Sequence, residues 1–180
     1  MALAESLQRF LVVTTVLAGG CVATAQDQLA EQLQPFAPFI GKTWRGEMNT
    51  SPDGKQTVDI SRWERALNGQ AIRILHSINN GEYGGESLMF WDREKESVVF
   101  YYFTTAGFYT TGTVSFEDGK FVSHEVVSGN DDGVTEVKSV GEILPDGRLR
   151  NSAQYLKNGE WVDGHSFIYV EDPDAQVIFK

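Results

Sequence analysis

The sequence predicts an all-β protein: one antiparallel up-and-down β-barrel of about ten strands, preceded by a short N-terminal helix. Two observations carry this. Asn or Asp is followed directly by Gly eight times, and seven of these pairs fall between strand-like runs. Such pairs reach the φ > 0 conformations of tight hairpin turns at little cost. The runs between them are nine to twelve residues long, too regular and too closely joined for helices or crossovers. A meander of ten strands would leave two exposed edges, and closing it into a barrel removes both.

The 180 residues suit one domain. Residues 1–25 have the form of a secretory signal. Arg9 supplies a weak positive start, residues 10–18 are largely apolar, and Ala23-Thr24-Ala25 is a small-x-small cleavage site before Gln26. The apolar run is too short to span a bilayer, which takes about 20 residues. The only cysteine, Cys21, lies in this segment. Leu17-Ala18-Gly19-Gly20-Cys21 resembles a lipoprotein box with its Leu one place early, so anchoring through Cys21 is the minor alternative to a soluble periplasmic form. A mature chain without cysteine relies on its apolar core rather than on disulfides.

Residues 26–40 are expected to hold a short helix at 26–33, with Leu29 and Leu33 on one face and Pro35 and Pro38 ending it. The barrel is assigned to 41–172, and 173–180 form a C-terminal tail. The strands are expected at 42–50, 56–66, 70–79, 83–92, 97–105, 108–117, 120–128, 134–144, 148–157 and 160–171. Their turns are Asp53-Gly54, Asn68-Gly69, Asn80-Gly81, Arg93 to Glu96, Ala106-Gly107, Asp118-Gly119, Asp132-Gly133, Asp146-Gly147 and Asn158-Gly159. The eighth pair, Asp163-Gly164, interrupts the last strand, where a glycine marks a bulge.

Alternation assigns the faces. Ile72, Ile74, His76 and Ile78 point inward from the third strand, and Phe100 and Tyr102 from the fifth. Phe108, Val114 and Phe116 do so from the sixth, Asn151, Ala153 and Tyr155 from the ninth, and His165, Phe167 and Tyr169 from the tenth. The candidate ligand-binding lining is therefore His76, Phe100, Tyr102, Phe108, Tyr155, His165 and Phe167. Apolar walls with a few hydrogen-bonding groups are the usual make-up of a small-molecule site. The same residues could instead simply pack the core.

Segment 39–46, Phe-Ile-Gly-Lys-Thr-Trp-Arg-Gly, resembles the opening Gly-x-Trp signature of lipocalin-like (calycin) barrels, with two residues rather than one between Gly41 and Trp44. In those families the Trp plugs one barrel end. Most of 39–170 is similar to a bacterial family of secreted lipocalin-like barrels without an agreed activity. The likeness rests on the Leu67-Asn68-Gly69 turn, the stretch Gly84 to Asp92, the aromatic strand 98–103, the turn at Gly107 and the aromatic end at Tyr169. Pro38-Phe39-Ile40-Gly41-Lys42-Thr43-Trp44 also resembles the opening of nitrobindin-type haem barrels. Their haem ligand is a last-strand His, which falls at Ser166 when the terminal Tyr is matched to Tyr169. His165 is one place away, so the haem alternative needs Asp163-Gly164 to be a bulge that restores the side-chain parity.

These features favour a binding barrel. A net charge of −10 argues against a nucleic-acid partner. No stretch after residue 25 is apolar enough for a transmembrane helix. His76, His124 and His165 have no metal-site spacing, there is no G-x-S-x-G elbow and no phosphate-binding Gly-rich loop. No cofactor is expected unless His165 holds haem. The enzyme reading needs His76 or His165 as acid/base with a carboxylate that the sequence does not place. His124 is assigned to the surface. Arg62, Glu64 and Arg65 flank Trp63 and are expected in a cross-strand ion pair on the surface; an inward Arg62 facing an anionic ligand is the alternative.

Overall fold

The computed structural model describes residues 28–48 and 56–180. The signal segment, Cys21, the first residues of the expected helix and the Asp53-Gly54 turn lie outside them.

Ten antiparallel strands close into a barrel in which each pairs with its sequence neighbours and the last with the first. They are β1 Thr43–Met48, β2 Thr57–Ala66, β3 Ala71–Ile78, β4 Tyr83–Asp92, β5 Ser97–Thr104, β6 Tyr109–Glu117, β7 Lys120–Ser128, β8 Val134–Ile143, β9 Leu149–Lys157 and β10 Glu160–Glu171. The expected runs match these within about two residues. Both edges vanish in the β1–β10 ladder, where Gly46 faces Tyr169 and Trp44 faces Glu171.

The turns are not all of one design; Leu67 to Gly69 and Asn79 to Gly81 each carry three positive-φ residues in a row. At Asp118-Gly119 and Asn158-Gly159 both residues have positive φ, as a two-residue I′ hairpin requires. At Asp132-Gly133 and Asp146-Gly147 only the glycine does, so these are not I′ turns. In the second, Leu144 and Arg148 close the loop through Leu144 N donating to Arg148 O, 2.7 Å, and the Asp146 carboxylate accepts from Arg148 N, 3.1 Å.

The N-terminal helix differs from expectation. It is a 3-10 segment at Glu31–Phe39, with Pro35 and Pro38 inside it rather than beyond its end. Proline has no N–H and breaks an α-helical ladder, but short 3-10 turns placed end to end accommodate it. Ala30 N donates to Gly69 O, 2.8 Å, tying this segment to the β2–β3 turn. It caps that end of the barrel. Phe39 packs on Trp63 at 4.9 Å between ring centroids and edge-on to Phe121 at 5.6 Å. Phe36 meets Phe116 and Phe121. Trp44, 1 % exposed, completes the cap against Phe39.

Inward glycines decide how the barrel's aromatic rings lie. Gly46, Gly85, Gly112, Gly141 and Gly164 sit directly beneath the rings of Tyr169, Tyr102, Phe100, Phe121 and Tyr155 respectively, so close that a Cβ would collide. A ring over a bare backbone lies along the wall rather than standing into the lumen. Many aromatics therefore line this barrel without filling it.

The tail, 173–180, returns over the outer wall. Ile178 N donates to Ser77 Oγ, 3.0 Å, and Phe179 lies against Gly84. This covers Ser77, which points outward yet is 1 % exposed.

Candidate functional site

The interior holds a cavity of about 730 Å³ between the aromatic cap and the turns at the opposite end. All seven candidate residues line it: His76, Phe100, Tyr102, Phe108, Tyr155, His165 and Phe167. Phe108 does so from just before β6 rather than within it, stacked on Tyr83 at 6.4 Å. The cavity is graded. Phe36, Trp63, Met89, Phe121 and Leu149 make an apolar floor near the cap. Polar groups form a belt halfway up, and Asn130 and Asp132 stand at the mouth.

The belt contains a hydrogen-bonded chain that crosses five strands. Tyr169 Oη donates to Asp59 Oδ2, 2.7 Å. Asp59 Oδ1 lies 3.0 Å from His76 Nδ1, and His76 Nε2 lies 2.7 Å from Tyr102 Oη. Tyr102 Oη is 2.8 Å from Tyr83 Oη. For a neutral imidazole one assignment satisfies every group. Nδ1–H donates to the carboxylate, Nε2 accepts from Tyr102, and Tyr102 accepts from Tyr83. The carboxylate missing from the sequence reading is thus Asp59, which fixes the tautomer of His76. Burial pushes the Tyr102 phenol far above its ordinary range, and the neighbouring Tyr83 adds to this. Burial also raises Tyr83 and, well above the usual range, Tyr169. These tyrosines are therefore neutral hydrogen-bonding groups.

His165 belongs to a second group. The β9–β10 register shifts between Asp163 and Ser166, which makes the expected bulge. Beyond it His165, Phe167 and Tyr169 share the inner face, while Ser166 points out and bonds Ser152. His165 Nδ1 lies 2.5 Å from Tyr155 Oη. Burial pulls the His165 pKa below 6.5, and the facing His76 adds to this, against a pull from Asp59. A histidine kept neutral in the fold takes up its proton more readily when unfolded. Stability from this group is therefore present above pH 6.5 and falls as the pH drops below it. Thermal melts from pH 7 to 5 should show a shallower acid loss in His165→Gln than in the wild type; equal slopes would contradict this placement.

Glu125 is the third polar group. Its Oε2 accepts from Thr110 Oγ1, 2.7 Å. Burial pushes its carboxyl up, while the Thr110 hydrogen bond and the His124 charge work the other way.

Two residues stand elsewhere. His124 is on the surface, 2.6 Å from Glu136. Arg62 does not face the cavity; it pairs with Glu64 at 2.7 Å and donates to Thr43 at 3.2 Å on the outer side. The inward alternative for Arg62 is thereby corrected, since Trp63, its neighbour, takes the inner face.

Asp59, Tyr83 and Glu125 were not expected in the site. In β2 the apolar residues Val58 and Ile60 suggest the inner face, yet Asp59, Ser61 and Trp63 hold it. Trp63 was the usable signal, because its parity includes Asp59. In β7, Phe121 marks the face of Glu125 in the same way.

No family model and no curated protein sequence matches the chain. Among solved structures it is similar to Rv2717c from M. tuberculosis, with a TM-score of 0.59 at 15 % identity, covering 80 % of this chain and 99 % of that one. The likeness is one of barrel fold.

Proposed function

We propose that this is an exported binding protein whose barrel encloses a small apolar or amphipathic molecule. The observation that carries the reading is the cavity itself, about 730 Å³ with an apolar floor beneath a polar belt. That size and composition are typical of small-molecule pockets. Export, to the bacterial periplasm, is supported by the form of residues 1–25. Nile red, an uncharged solvatochromic probe, should bind the purified protein at one site and brighten. Ser87→Trp, which fills the lumen from β4, should abolish the signal while the circular dichroism spectrum is kept. A folded Ser87→Trp that binds as well as the wild type would place the probe outside the barrel and end this reading.

The bulge before His165 favours a second reading, haem. With Nδ1 engaged by Tyr155, Nε2 has no partner among the described residues, as an iron ligand requires. His165 would hold the iron, with Phe167 and Tyr155 beside it, and haem would supply an iron centre whose properties that histidine tunes. Hemin titration should then give a Soret band that His165→Ala removes. Protein that takes up no hemin excludes this second reading and leaves the first intact.

A further inference from the structure

The charged groups of the cavity are all of one sign. Asp59 and Glu125 line the belt, Asp132 stands at the mouth, and no Lys or Arg lines the cavity among the described residues. The two belt carboxylates differ in what they have left to offer. Both oxygens of Asp59 are engaged, one by Tyr169 and one by His76. Glu125 uses Oε2 for Thr110, and its Oε1 has no partner among the described residues. That oxygen is not sealed inside the wall, so a donor arriving in the cavity can reach it. The other inward residues of β7 show what surrounds it: Phe121 and Ser123 lie below Glu125 and Val127 lies above. Four residues of strand separate Glu125 from Phe121 at the floor, about 13 Å along the wall.

We infer that the cavity selects a cationic amphiphile, an ammonium or related organic cation whose head bonds Glu125 Oε1 and whose apolar tail lies on the floor toward Phe121 and Phe100. This deepens the binding reading proposed above and rests on it. The physical reason is asymmetric. An ammonium meets a carboxylate in a low-dielectric site and forms a charge-assisted hydrogen bond. Burial disfavours an ionised Glu125 in the empty cavity, and an arriving cation reverses that preference. An anionic head would instead be desolvated beside Asp59 and Glu125 with no cation to meet it, which is the most expensive arrangement. An uncharged head falls between the two.

The test is competition against bound Nile red at pH 7 by three molecules of equal chain length: decylamine, decanol and decanoate. Decylamine should displace the probe at a concentration at least tenfold below that of decanoate, with decanol between them. In Glu125→Gln, decylamine should weaken about tenfold and decanol should be unchanged. If Nile red itself does not bind, the binding reading fails and this inference goes with it. If Nile red binds but decanoate competes as well as decylamine, or neither competes, the charge inference alone is overturned. A folded Glu125→Gln with undiminished decylamine affinity overturns the role given to Glu125. If Glu125→Gln does not fold, the wild-type ratio of amine to carboxylate decides.

Discussion

Replacing Trp44 by Ala should lower stability by about 3–5 kcal/mol, the cost of removing a large aromatic from a tightly packed site. In a chain of this size that is a fall in Tm of roughly 10 °C. Trp44 is 1 % exposed and packs on Phe39, so its removal also loosens the cap that the N-terminal 3-10 segment forms. Trp44→Phe should cost far less, about 1–2 kcal/mol, for a specific reason. The indole Nε1 is buried without a hydrogen-bond partner among the described residues, so Phe forfeits no hydrogen bond there and relieves an unmatched N–H. Thermal melts of the two variants decide this. Near-equal losses would mean that the indole nitrogen matters and that volume does not account for the residue.

Asp59→Ala should be nearly as damaging, at about 3 kcal/mol or more. Asp59 is 5 % exposed and accepts from both Tyr169 and His76. Alanine strands the buried Tyr169 hydroxyl and the half-buried His76 Nδ1–H at once, and an unmatched buried donor costs about 1–3 kcal/mol. Asp59→Asn makes a sharper comparison. The amide oxygen can still accept from Tyr169, while its NH2 can donate to His76 Nδ1 if the imidazole changes tautomer. Nε2–H would then donate to Tyr102, and Tyr102 to Tyr83, so the three bonds from position 59 to Tyr83 reverse direction while that of Tyr169 does not. The expected result is a small loss of Tm with a switch in the ¹⁵N shifts of His76. A large loss with no switch would show that the carboxylate charge, not the hydrogen-bond pattern, holds the chain in place.

The strands were legible because their punctuation is local. Positive-φ residues at Asn68, Asn80, Asp118 and Asn158 sit where Asn/Asp-Gly pairs predict turns, and each belongs to one short stretch of sequence. The bulge at Asp163-Gly164 could be seen for the same reason. The lining was legible where one face of a strand is clearly the more apolar, as in β3 and β6. It failed in β2, where Val58 and Ile60 lie outside and Asp59 inside. There the apolar residues serve the outer wall, and the carboxylate is tolerated within because partners from β3 and β10 satisfy it. Those partners come from positions 17 and 110 residues away, and no local pattern encodes them. The 3-10 segment was misplaced because its form is set by what it caps, Phe121 and Trp63, rather than by its own periodicity.

Gly84 and Gly85 are neighbours in sequence and face opposite ways. Phe179 of the tail lies on Gly84 outside, and the Tyr102 ring lies on Gly85 inside. At this point the wall is bare backbone, with the two sides answering to different partners. Each position also has the backbone of a neighbouring strand in the way of a side chain, the His76 carbonyl at 84 and the Phe103 carbonyl at 85. A relative that has lost the tail would therefore still need glycine at 84, and one with a small residue at 102 would still need it at 85. Glycine at this dipeptide is thus a requirement of the strand pairing itself, and the outer strap and the inner phenol both rest on it.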